Sequence, residues 1–91
     1  MRRFASVWDA ISASPAEAGN MKVRSTLMMA LAEHIKREGL TQTQAAKLLG
    51  VSQSKVSDLI RGKIDLFSID TLIDMLSAAG LHVKVQIAKV A

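Results

Sequence analysis

The chain has 91 residues, of which 49% are hydrophobic and 22% are charged, the composition of an ordinary folded domain. Folding at this length buries only about 60–65% of the unfolded surface, which leaves room for one core and none for a separate cofactor domain. There is no cysteine, which excludes disulfide scaffolds, thiolate metal sites and cysteine nucleophiles, and the net charge of +4 permits a polyanionic partner without requiring one.

The first thirteen residues are the least regular part of the sequence. Four apolar residues there have helical spacing: Phe4, Val7, Trp8 and Ile11. Ser12 and Ser14 then interrupt the pattern, so we assign residues 1–13 to a short helix or an ordered arm. We favour docking of its two aromatic residues against the body of the protein over docking against a partner.

Neither an export signal nor a membrane span is predicted. Arg2 and Arg3 resemble the charged start of a signal peptide, but Asp9 interrupts the chain before an apolar core of the required length. No apolar run approaches the roughly 20 residues that a membrane span needs. We therefore expect a cytoplasmic protein without a membrane partner.

A helix start with three agreeing features follows at residue 14. Ser14 can accept hydrogen bonds from unpaired amides, Pro15 suits the first helical position, and Glu17 completes a capping box. Gly19-Asn20 permits a break soon afterwards. Beyond it, one apolar stripe is formed by Leu27, Met28, Leu31 and Ile35, and the helix is expected to end at Gly39.

Three further short helices are predicted from their caps. Thr41 and Gln44 form a capping box, and the helix that they open ends at Gly50. The other two caps with their helices are Ser52 for residues Gln53 to Arg61, and Ser68 for residues Ile69 to Ala79.

After Gly80 the hydrophobic period changes from helical to alternating. The apolar positions are Leu81, Val83, Val85 and Ile87, separated by His82, Lys84 and Gln86. This alternation predicts a half-buried strand, which needs a partner because unpaired backbone amides are costly. We expect a two-fold antiparallel ribbon with a second copy, burying these four apolar residues at a dimer interface. Pairing with the N-terminal segment or with another protein's sheet is the alternative.

Residues 40–62 combine two short capped helices with a tight turn. Ala45 and Ala46 are small where the helices approach, and apolar Val56 and Leu59 suit packing of the second helix on the first. Four basic residues against one acid give residues 41–63 a charge of +3. This is the arrangement that places a helix in the major groove of DNA, although a purely structural helical hairpin has the same pattern.

The residues themselves resemble the XRE class of DNA-binding domains, the lambda repressor and Cro type. The matching features are Leu40-Thr41-Gln42, Ala45-Ala46, Leu49-Gly50-Val51-Ser52-Gln53, Val56-Ser57 and Arg61-Gly62. The resemblance implies an all-α, lambda-repressor-like domain of five helices at 14–80, with its helix-turn-helix at 41–62. The C-terminal strand predicted at 81–91 from its alternating pattern follows this helical domain. The partner that the resemblance implies is double-stranded DNA.

Roles for individual side chains also come from this resemblance. Positions that read bases are Gln53, Ser54, Ser57 and Asp58. Positions expected at phosphates are Gln42, Thr43, Lys47, Lys55, Arg61 and Lys63. Gln53 can pair bidentately with adenine, whereas Asp58 can accept from cytosine or stand as a solvated acid on a basic face.

A narrower resemblance extends over nearly the whole chain. It is carried by Ser14 to Ala18, Arg24 to Leu31 and Gly62 to Ser68, and it is to an XRE subfamily that includes many HigA-like antitoxins. We expect a homodimeric transcriptional regulator, a repressor, on a palindromic operator. The alternative is an antitoxin that masks a RelE/HigB-like toxin and autoregulates its operon.

Several residues of types found in catalytic or metal sites have structural explanations. Asp65, Asp70 and Asp74 lack the spacing of a calcium loop, and two histidines do not make a zinc site. The methionines at helical spacing, Met29 among them, are assigned to the core. We therefore expect no enzymatic activity, no catalytic residue, no metal and no cofactor.

Overall fold

The computed structural model describes residues 15–89. Its elements are α1 (Pro15–Arg37), α2 (Gln42–Leu49), α3 (Gln53–Ile60), a 3₁₀ turn (Ile64–Leu66) and α4 (Ile69–Ala78). The expectations for residues 1–13, and the cap expected of Ser14, lie outside the described residues. Within residues 15–89, no helix has both the length and the apolar character needed to cross a membrane.

α1 is one unbroken helix of 23 residues. The break considered at Gly19 and Asn20 does not occur, although a glycine in a helix interior costs about 1 kcal/mol relative to alanine. Tertiary packing outweighs the low helix propensity of glycine. α1 lies chiefly against α4, and its side chains Leu31 and Ile35 are buried in the core. Residues before and after the glycine therefore share one helix axis.

The predicted caps of the shorter helices are confirmed. The Thr41 hydroxyl accepts from the Gln44 amide at 3.1 Å, and the Gln44 carboxamide oxygen accepts from the Thr41 amide at 2.9 Å. Ser68 caps α4 by accepting from the amide of Thr71 at 3.1 Å. Each hydroxyl satisfies an amide that the first turn of a helix leaves unpaired.

One core joins all four helices. Its fully buried large side chains are Leu31, Val56, Leu59, Phe67, Leu72 and Met75. Phe67 comes from the connector between α3 and α4, so this connector is anchored from inside. Met29, expected in the core, is 67% exposed and lies on the outer face of α1.

The predicted C-terminal strand is not found in the described part of the tail. Residues 81–89 form neither helix nor strand, because no segment among residues 15–89 supplies a hydrogen-bonding partner. Leu81 and Val83 pack against the core of their own chain, whereas Val85 and Ile87 are 77% and 87% exposed. The alternating apolar set is therefore divided between two environments.

The expected number of helices also needs correction. Residues 15–89 hold four α-helices and not five. α1 remains continuous, and the connector after α3 forms only a three-residue 3₁₀ turn. The domain is all-α over the described residues, with its two shortest α-helices adjacent in the chain.

Gly50 ends α2 in the left-handed region with φ of 69°, where a side chain is strained even though its space is open. We expect Gly50→Ala to lower the free energy of unfolding by about 1 kcal/mol, measured by urea denaturation. Gly19→Ala is the matched control, since Gly19 is helical with open space around it, and it should stabilise by about 0.5–1 kcal/mol. Equal effects of the two substitutions would contradict this account of the turn.

Candidate nucleic-acid interface

The junction of α2 and α3 is a tight turn held by two caps. Gly50 ends α2 with its amide donating to the Ala46 carbonyl, and Ser52 begins α3 by accepting from the Lys55 amide at 3.1 Å. Ala45 and Val56 are both fully buried. Because alanine is small, α3 can approach α2 closely while the start of α3 stays at the surface.

Most of the side chains expected at DNA are open to solvent. Those exposed are Gln42, Thr43, Lys47, Gln53, Ser54, Arg61 and Lys63. Those half-buried are Lys55, Ser57 and Asp58. None of the ten belongs to the core, so their polar groups lie at or near the surface of the hairpin.

A hydrogen bond joins the starts of the two helices. The Gln53 side-chain nitrogen donates to the Thr43 hydroxyl at 2.9 Å, across ten positions of the chain. The structure thereby brings together a residue expected at bases and one expected at phosphate. The bond also limits the rotamers that the Gln53 carboxamide can adopt.

A second contact joins expected site residues at the other end of α3. The Lys63 ammonium lies 3.8 Å from the Asp58 carboxylate, and the Lys63 amide donates to the Asp58 carbonyl at 3.0 Å. The Asp58 side chain is 26% exposed. Lys63 therefore partly neutralises the only acid among residues 41–63.

Lys55 differs from the other expected phosphate ligands in where its ammonium lies. It donates to the Leu66 carbonyl at 2.7 Å and sits 4.3 Å from the centre of the Phe67 ring. Its side chain therefore lies along the connector between α3 and α4. Lys47, by contrast, is exposed.

The sequence reasoning did not assign a role to Arg24. From α1, its guanidinium donates to the carbonyls of Ile64 and Phe67 at 3.1 and 3.4 Å, while its Nε has no partner among the described residues. The local sequence around Arg24 gave no signal of this contact, because the partners are backbone atoms 40 and 43 residues away.

The outer face of α1 carries an open apolar groove. Met29, Ala32, Leu40 and Ile60 line it together with the polar residues Glu33, Lys36 and Arg37. Arg37 and Glu33 form an exposed ion pair at 3.0 Å on its rim. The groove is lined by α1, by Leu40 after it and by the last residue of α3, and none of its lining residues belongs to the first turn of α3.

Among residues 15–89, no three His, Asp or Glu side chains are grouped so that they could hold a metal ion. The aspartates considered in the sequence are dispersed: Asp70 lies in the first turn of α4, and Asp65 in the 3₁₀ turn. The polar surface of the hairpin consists of hydrogen-bonding groups and of lysine and arginine side chains.

Two short helices joined by a tight turn, the second with an exposed polar start, define a helix-turn-helix unit. A family profile described as "Helix-turn-helix domain" matches residues 11–88. The chain is similar to a solved structure titled "Putative XRE Family Transcriptional Regulator", with 36% identity and a TM-score of 0.74 over 80% of this chain and 82% of the other. None of the curated proteins is significantly similar.

The chain therefore belongs to the helix-turn-helix domain family. Its expected XRE-like character is confirmed, because the profile and the structural neighbour agree.

Ser52 is expected to determine the stability of α3 through its cap. Replacing Ser52 by Ala leaves the Lys55 amide without its acceptor and should lower the free energy of unfolding by about 1 kcal/mol. Ser54→Ala, in the exposed first turn of the same helix, is the matched control and should change it by less than about 0.5 kcal/mol. Thermal unfolding followed by circular dichroism checks both variants, and a larger loss for Ser54→Ala would contradict the assignment.

Proposed function

We propose that this protein is a transcriptional regulator, a repressor, that binds a palindromic operator as a homodimer with the start of α3 in the major groove. The observation that carries the proposal is the solvent-exposed polar start of α3, where Gln53 and Ser54 are exposed although Val56 and Leu59 of the same helix are buried. We also propose a cytoplasmic location, because the sequence predicts no export signal.

Gln53 is the side chain best prepared to read a base. One of its two amide hydrogens is used by Thr43, which leaves the other hydrogen and the carbonyl oxygen for a ligand. Adenine presents a matching acceptor and donor in the major groove. Thr43 thus supports an adenine contact by holding the carboxamide, and Ser54, Ser57 and Asp58 extend the reading surface along α3.

The exposed cations around the hairpin suit the DNA backbone. Lys47, Arg61 and Lys63 are all exposed, and Gln42 lies in the first turn of α2. Contacts of this kind add affinity for any sequence and release counterions, so they make binding dependent on salt. Base contacts and phosphate contacts can therefore be separated experimentally.

The tail supports the homodimer. Val85 and Ile87 are the most exposed large apolar side chains of the described residues, and they follow two tail residues that are anchored on the core. A second tail in antiparallel pairing would cover them and satisfy their backbone groups. The two-fold axis so created would relate two copies of α3, as a palindromic operator requires.

The alternative is an antitoxin that masks a RelE/HigB-like toxin and autoregulates its own operon. The observation that favours it is the apolar groove on α1, which leaves the start of α3 free for DNA. A reading frame for a small basic protein directly beside the gene, and its co-purification with this chain after co-expression, would support the alternative. Failure of that product to bind would count against it.

The operator contact is tested with the duplex upstream of the protein's own gene and a shuffled duplex of equal length. Gln53→Ala should cost about 1–3 kcal/mol on the native duplex and relax preference at one base pair, because it removes the base contact. Fluorescence anisotropy measures both affinities over a range of salt concentrations.

Lys47→Met is the control for that experiment. It should weaken binding to both duplexes alike and reduce the slope of log affinity against log salt by about 0.9, since one phosphate contact is lost. If the unaltered protein binds the two duplexes equally, sequence-specific regulation is not its function. If Gln53→Ala also affects them equally, Gln53 does not read a base.

The dimer is tested by placing charge on the exposed apolar face of the tail. Val85→Lys combined with Ile87→Lys should convert the dimer to a monomer in sedimentation experiments at micromolar concentration, because the ribbon would bury the new charges. Gln86→Lys puts one positive charge on the alternate face and should leave the dimer intact. A monomeric unaltered protein would overturn the dimer hypothesis.

A further inference from the structure

The connector between α3 and α4 receives cations from two different helices. Lys55 of α3 donates to the Leu66 carbonyl at 2.7 Å, and Arg24 of α1 donates to the carbonyls of Ile64 and Phe67. The Phe67 ring between these contacts is 1% exposed and belongs to the core. The connector is therefore a backbone platform that links α3 to α1.

Lys55 is bound on two sides by this platform. Its ammonium has the Leu66 oxygen at hydrogen-bonding distance and the face of Phe67 at 4.3 Å, where an aromatic ring attracts a cation. The Lys55 backbone amide is also bound, by the Ser52 hydroxyl. Both the main chain and the side chain of this residue are thus held at the first turn of α3.

This arrangement places Lys55 next to the residues that read bases. Lys55 lies two positions after Gln53 and one after Ser54, in a helix of eight residues. A helix this short is not stable by itself, so its orientation depends on contacts made with the rest of the protein. Val56 and Leu59 hold the buried face of α3, and Lys55 holds its first turn against the connector.

We propose that Lys55 is a positioning residue for base recognition and not a phosphate ligand. Resting on the proposed operator binding, the inference is that its contacts with Leu66 and Phe67 set the direction in which Gln53 and Ser54 point. An ammonium that moved to a phosphate would give up the Leu66 carbonyl and the aromatic face. Lys47 and Arg61, which are exposed, supply backbone contacts without that loss.

The two roles differ in their dependence on salt. A lysine that binds phosphate releases a counterion, so its removal reduces the slope of log affinity against log salt by about 0.9. A lysine that only orients the helix contributes to specific affinity without contributing to that slope. The measurement therefore separates electrostatic binding from positioning.

The experiment compares Lys55→Met, Lys55→Arg and Lys47→Met on the native upstream duplex and the shuffled duplex. Lys55→Met keeps the aliphatic stem but removes the donor, and should weaken binding to the native duplex about tenfold with little change in slope or in binding to the shuffled duplex. Lys55→Arg retains a donor and a group that stacks on Phe67, so it should restore most of the affinity. Lys47→Met should reduce the slope and weaken both duplexes. A Lys55→Met variant that behaves like Lys47→Met overturns the proposal.

A second measurement needs no DNA. Because the end of the Lys55 side chain lies over the Phe67 ring, its ε-methylene protons should resonate upfield of those of Lys47 in the proton NMR spectrum. In Lys55→Met, hydrogen exchange of the α3 amides should become faster while that of the α1 amides is unchanged. Absence of the upfield shift, or its loss when either duplex is added, would falsify the positioning role.

These two measurements keep the proposal separate from the function on which it rests. If the unaltered protein does not prefer the native duplex, operator recognition fails and so does a role for Lys55 in it, while the NMR shift still decides whether the contact exists. If the unaltered protein prefers the native duplex and Lys55→Met makes the dependence of log affinity on log salt less steep, operator recognition stands and the positioning role fails.

Discussion

Burial of Val56 and Leu59 is the interaction on which the candidate interface depends. α3 has only eight residues, and an isolated helix of that length is unstable in water. Its two buried side chains face a core to which α1, α2, α4 and Phe67 all contribute. The helix can therefore leave its first turn exposed and polar without losing its structure.

The small residues and caps of the hairpin follow from the same constraint. Ala45 is fully buried, and a larger side chain there would overpack the core that both helices share. Gly50 and Ser52 complete the turn by a left-handed conformation and a hydroxyl acceptor. Each feature lets two short helices pack closely while the amides at the start of α3 remain satisfied.

The three lysines of the hairpin and its connector are not equally available to bind a polyanion. Lys47 is exposed, Lys63 lies beside Asp58, and Lys55 is directed along the connector. Sequence position alone gives these lysines the same expected role. The structure shows three environments, and of these three lysines Lys47 is the one that can offer its cation to a polyanion without breaking a contact described for the other two.

The exposed apolar residues of α1 and of the tail show that hydrophobic spacing does not by itself predict burial. Met29 has helical spacing like the core methionines, yet it is exposed because no element among residues 15–89 covers the groove on α1. The tail has a regular alternation, yet Leu81 and Val83 pack on their own chain while Val85 and Ile87 do not. Periodicity identifies which residues share a face but not what covers that face.

The sequence by itself determined the short helices, their caps at Thr41, Ser52 and Ser68, and the helix-turn-helix assignment, because hydrogen bonds three residues apart and apolar spacing are local properties. Only the tertiary structure decided the continuity of α1, the packing of one part of the tail and exposure of the other, and the contacts of Lys55 and Arg24 with the connector. Those outcomes depend on packing and on backbone carbonyls 11 to 43 residues away, and such distant partners leave no mark on local pattern.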